Sequence, residues 1–218
     1  MSGTGSFEYL VFLIITLLIA FTIHELAHAY SAYALGDHTA AAMGRLTLNP
    51  LAHLDPIGTL ALVFMGFGWA KPVPVNVNRL KYGRFGNVLV SLAGPLSNFL
   101  LAAVGVLFYI LIQIGVSSAA TGYFATLSDF LAVFIQINVV LFLFNLLPIP
   151  PLDGYRIVES YMPISARQKV EKYYFYVFLV LLFCMIFDPA RAVTFDPFFH
   201  FVVPAVMNFL QSFWMMFL

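Results

Sequence analysis

The feature that most constrains this chain is a series of apolar runs, near residues 9–34, 85–115, 124–147, 170–187 and 198–217, separated by short polar stretches. A spanning α-helix needs roughly 20 mainly apolar residues to cross a hydrocarbon core of about 30 Å, and every one of these runs is of that order. Only 9% of the residues are charged, against about a quarter in a soluble domain, so such a surface cannot face water. The expected fold is therefore an all-α polytopic membrane protein with about five spanning helices. A sixth apolar piece, residues 57–69, has 13 residues and contains Gly58, Gly66 and Gly68, so it is expected to be a short re-entrant helix.

Charge supplies the orientation. With five spans, Arg45, Lys71, Arg79, Lys81, Arg84, Arg156, Arg167, Lys169 and Lys172 fall on one side and only Arg191 on the other. Positive residues of short loops stay cytoplasmic, so the N-terminus is predicted outside and the C-terminus inside. Ten basic residues balance ten acidic ones with no basic block, which excludes nucleic acid as a partner. The single cysteine, Cys184, sits in an apolar run and excludes a disulfide framework. No Lys or Arg precedes Arg45, so the first apolar segment does not read as a cleaved secretory signal. No repeat or appended soluble domain is visible, and residues 1–218 are expected to form one membrane-embedded domain. Its core covers about 9–160 and its accessory C-terminal helices about 165–218. Between the short piece and the next span, Val73, Val75 and Val77 alternate with Pro74 and Asn76. That pattern predicts a small membrane-associated β-strand, an edge able to pair with an extended peptide.

Chemistry is carried by residues 23–30, IHELAHAY, an HExxH motif inside the first spanning run. His24 and His28 are four apart, so on a helix they project from one face and can share a Zn²⁺ ion. Glu25 adjoins the first of them, placed to take a proton from a water whose pKa the metal lowers from 15.7 towards about 7. Ionisable residues at this depth cost about 2.5 kcal/mol or more each and are functional by default.

Two histidines leave a tetrahedral catalytic zinc one protein ligand short. The candidates are His38, His53, Asp55, Asp153 and more distant acids, and depth favours Asp153. It ends the segment NLLPIPPLDG, which finishes the third full span on the side towards which His24 and His28 lie. Pro148, Pro150 and Pro151 break the helix there, and irregular backbone at membrane depth is tolerated where it is buried in protein or lines a watery cavity. His53, in NPLAHLDP, is a possible supporting or displaceable group.

IHELAHAY together with NLLPIPPLDG resembles the site-2 protease family of intramembrane zinc metalloproteases, whose motifs are HExxH and NxxPxxxLDG; AGPLSN, residues 93–98, also resembles the family's intervening helix. The likeness covers about residues 10–160 and is nearest to the compact branch without PDZ or CBS domains. It implies one zinc per chain on His24, His28 and Asp153, with Glu25 as general base and Asn145 as an amide that touches substrate. The expected substrate is a single-span membrane protein, held partly, on the alternation above, by strand addition at Val73–Val77; the expected setting is a bacterial or archaeal cell membrane, with the site, by the charge count, nearer its cytoplasmic face. Asn98 and Asn138 read more simply as amides bridging membrane helices. A presenilin-like aspartyl site would need GxGD, where residues 34–37 read ALGD, and a rhomboid-like GxSG is absent. From another class, a metal or small-solute transporter or a catalytically silent relative would use the same polar groups, although transporters often pair broken helices in repeated halves.

Overall fold

The computed structural model describes residues 6–65, 68–115 and 122–218. In chain order the helices are α1 (Ser6–Ala34), the single turn α2 (Thr39–Ala42), α3 (Pro56–Met65), α4 (Arg84–Gly115), α5 (Tyr123–Asn145), α6 (Asp153–Glu159), α7 (Ile164–Ile186), α8 (Asp188–Thr194) and α9 (Asp196–Met215). Of these, α1, α4, α5 and α9 are each long and apolar enough to cross a membrane. A fifth span exists if α7 and α8, which meet at 99°, count as one. Pro189 accounts for the break, because it lacks an N–H and its ring collides with the carbonyl four residues back, so α7 cannot run through it.

Helices α1, α4 and α5 pack on one another through small or apolar faces. Ala20, Ala29 and Ala32 of α1 are fully buried, the kind of surface that lets membrane helices approach closely. Ala102, Val106 and Ile110 of α4 meet Ile135 and Val139 of α5, and Val203 and Leu210 of α9 close that cluster. Large residues such as Phe7, Leu100, Phe108, Phe175 and Phe201 point outwards, as lipid-facing residues do.

The short apolar piece does not form a helix long enough to span. α3 has ten residues, about 15 Å of helix and half of what a crossing requires. Its two flanks meet again, since Leu54 and Ala70 form an antiparallel bridge and Lys71 N–H donates to the His53 carbonyl at 2.8 Å. The two flanks of α3 thus lie side by side.

The β-strand expected over Val73–Val77 is not formed. Among the described residues there is no strand, and Val77 already belongs to a 3₁₀ turn, Val77–Arg79. The segment is extended, but Pro72 and Pro74 have no N–H to offer a ladder. The donors of Val73 and Asn76 are instead taken by the carboxylates of Glu25 and Asp37.

Candidate metal centre

Helical spacing brings His24 and His28 to one face of α1, about 27 Å from its start and 15 Å from its end for His24 at 1.5 Å per residue. The third member arrives from elsewhere. α5 stops at Asn145, the proline-rich stretch 146–152 folds back through single-turn hydrogen bonds, and Asp153 opens α6. Gly154 permits that return, because a Cβ there would lie 2.5 Å from the Leu147 carbonyl oxygen.

His24 Nε2 and His28 Nε2 are each 3.1 Å from Asp153 Oδ2 and 3.0 Å from each other. A tetrahedral zinc with bonds of about 2.0–2.1 Å spaces its donors about 3.3 Å apart, so the triangle has the right size. Its polarity is also right. His28 Nδ1–H donates to the Val90 carbonyl and His24 Nδ1–H to Asn98 Oδ1, both at 2.7 Å. With Nδ1 protonated, each neutral ring turns a bare Nε2 lone pair inwards. Two such lone pairs and a carboxylate oxygen, all buried, repel one another unless a cation lies between them. The residues present therefore fit a zinc ion.

Glu25 lies beside the triangle, buried, with Oε2 accepting the Val73 N–H at 3.0 Å and 3.9 Å from Arg45 Nη2. Arg45, counted above as a loop charge, is only 4% exposed. It donates to the Pro72 carbonyl at 3.2 Å and also to that of Lys71, tying the extended segment to Glu25. Asp37 ties the other end, accepting from Asn76 N–H at 2.6 Å and from the Thr39 hydroxyl and N–H. Burial alone would raise the Asp37 carboxyl, but these hydrogen bonds and Arg79 outweigh it and hold it below its ordinary range.

His24, Glu25, His28 and Asp153 line a cleft of about 780 Å³. Its walls are mostly apolar, with Leu13, Leu17 and Phe21 from α1, Val140 and Leu141 from α5, and Phe178 from α7; Pro72 and Val73 form an edge. Asn145 lines the same cleft, its amide donating to the Leu141 carbonyl at 2.9 Å. His53 does not join the metal ligands: it is fully buried behind the 70–71 segment with its Nε2 on the Thr47 carbonyl at 2.8 Å. Asn98 and Asn138 do bridge α4 and α5, at 3.0 Å, yet Asn98 also holds His24, which helix-bridging alone does not convey.

Residues 12–185 match Peptidase family M50. The chain belongs to Peptidase family M50. Among its relatives, "Putative zinc metalloprotease YwhC" of Bacillus subtilis is 52% identical over 173 residues, covering 78% of this chain and 79% of the relative. "Putative zinc metalloprotease Rip2" of Mycobacterium tuberculosis is 33% identical over 180 residues, covering 76% and 64%. Its namesake of Mycolicibacterium smegmatis is 30% identical over 177 residues, with the same coverage. No solved structure matches the chain.

Proposed function

We propose that this chain is a multi-pass intramembrane zinc endopeptidase of the site-2 type, holding one zinc and hydrolysing peptide bonds of single-span membrane proteins in or beside the bilayer. The observation that carries this reading is the convergence of three buried ligand atoms on one point beside Glu25, in a largely apolar cleft between apolar helices.

When bound, zinc supplies Lewis-acid polarisation of the scissile carbonyl and an acidified water. The rest falls to the chain. Val73 N–H and Arg45 both engage Oε2 of Glu25, which leaves Oε1 to receive the proton of the attacking water and pass it to the departing amine. Asn145, on the cleft wall, is the amide for the substrate carbonyl.

A substrate helix hides its peptide bonds in its own hydrogen bonds and must unwind to be cut. Among the described residues, the Val75 N–H and the carbonyls of Val73 and Val75 have no partner, so an unwound strand pairs there. Replacing both Val75 and Val77 by proline should cut turnover; unchanged turnover would exclude strand addition. The orientation follows the basic residues, with the N-terminus outside and the site nearer the cytoplasmic face.

The function is tested with purified wild type and Glu25→Gln in detergent, given single-span substrates. Glutamine still accepts the Val73 N–H, so the variant should keep its zinc and lose about 10²–10⁴-fold or more in cleavage rate. Equal cleavage by both proteins would end the mechanism, and zinc transit without cleavage would favour a transport site.

A further inference from the structure

Among the described residues Asn138 makes no hydrogen bond to a metal ligand, yet it is completely buried where α5 faces α4. Its hydrogen bonds run in one direction. The Phe134 backbone carbonyl, 2.9 Å from the Asn138 amide, can only accept, so the amide nitrogen must face it. The Asn138 Oδ1 must then face Asn98, 3.0 Å away, and can only accept from the Asn98 nitrogen. That turns the Asn98 oxygen towards His24 Nδ1, 2.7 Å away, which must donate. Each step fixes the next, and the series starts from a backbone carbonyl that no rotation can reverse.

We propose that Asn138 is a positioning residue of the metal centre: acting through Asn98, it sets which ring nitrogen of His24 is bare and where that lone pair points. This rests on the reading of His24, His28 and Asp153 as the zinc site. His28 needs no such relay, because its Nδ1 meets the Val90 backbone carbonyl directly. His24 meets a side-chain amide that could present either end to it, and besides Asn138 the nitrogen of that amide is held only by a long 3.5 Å contact to the Ala20 carbonyl. With Asn138 replaced by an apolar residue, Asn98 can turn its nitrogen to His24 Nδ1. The imidazole then carries its proton on Nε2, where it cannot ligate, or pays in free energy to switch back. The relay also spans α1, α4 and α5, so it anchors the imidazole to the two helices that α1 packs against.

The test compares Asn138→Val with Asn138→Thr, two side chains of one shape that differ in a hydroxyl. A threonine at this position back-bonds to the carbonyl four residues earlier, here Phe134, and keeps an oxygen towards Asn98. Zinc affinity is read for the full chain in detergent by competition with a chelator, alongside unfolding temperature without metal. Outer partners of a ligating histidine are worth about 10–100-fold in metal affinity, so Asn138→Val should weaken zinc binding about tenfold. Asn138→Thr should recover part of that loss at equal metal-free stability. In an Asn98→Leu background Asn138→Val should have no further effect, since the two act in series. Equal zinc affinity of the Val and Thr variants, or additive losses with Asn98→Leu, would overturn the proposal. His24→Ala serves as the control: if it leaves zinc binding intact, the metal-site reading itself has failed rather than the relay.

Discussion

A single methyl group added at Gly94 should empty the metal centre while leaving the helices in place. Gly94 lies on α4 opposite the imidazoles. A Cβ built there would be 2.5 Å from His28 Cε1 and 2.6 Å from His24 Nε2, and closer still to His28 Nε2, where ordinary contact begins at 3.4 Å. To accept an alanine, the His24 ring must therefore retreat by roughly 0.8 Å and the His28 ring by more, which is at least about four times the ±0.2 Å tolerance of a zinc–ligand bond. The alternative is to move α4 off α1, an overpacking strain of about 1–3 kcal/mol. Neither route keeps both Nε2 atoms aimed at one point. Gly94→Ala should thus be purified with little zinc and turn substrate over at least about 10²-fold more slowly, the scale of loss for a 1 Å misplacement at a reacting centre. The assay is elemental analysis of the purified chain together with cleavage of a single-span substrate. Full zinc occupancy with wild-type turnover would refute the geometry on which the site rests.

Arg45→Met removes the donors that hold the Lys71 and Pro72 carbonyls. Charged hydrogen bonds of this kind are worth about 1.5–3 kcal/mol, so kcat/KM should fall about 10–100-fold while zinc content stays at the wild-type level; loss of zinc would contradict the assigned role. Asp37 gives a pH dependence whose sign is fixed: its folded carboxyl lies below the ordinary value of 3.8, so its contribution to stability is present above that pH and lost as pH falls through the folded value. Asp37→Asn should therefore be less stable than wild type near neutral pH, with the difference shrinking in acid, as followed by thermal unfolding or proteolysis of residues 71–78. A difference that grew in acid would reverse the argument.

Much of the site was legible because it follows from periodicity and depth. HExxH in an apolar run places two imidazoles and a carboxylate at one level of a helix, and the broken NLLPIPPLDG segment marks where a third donor can reach that level. Both expectations depend only on local spacing. The helical spans and the shortness of α3 follow similarly from run length, though α7 and α8 needed Pro189 to be weighed as a breaker. What escaped depends on chain segments that fold back. Arg45 reads as a loop charge until the 70–73 segment is seen to return beneath it. The Val73–Val77 alternation reads as a strand until its donors are found already bound to Glu25 and Asp37. Asn98 has the same composition signal whether it glues helices or sets a histidine, and only its 2.7 Å contact with His24 separates the two.

Zinc stoichiometry of wild type against Asp153→Ala, each purified at full length, is the most direct measurement of all. A metal shared by two histidines of α1 and the distant aspartate that opens α6 predicts close to one zinc per wild-type chain, and loss of most of it when the carboxylate is removed. Undiminished zinc in Asp153→Ala, at wild-type affinity, would mean that the metal is held elsewhere and that the buried triangle is not its site.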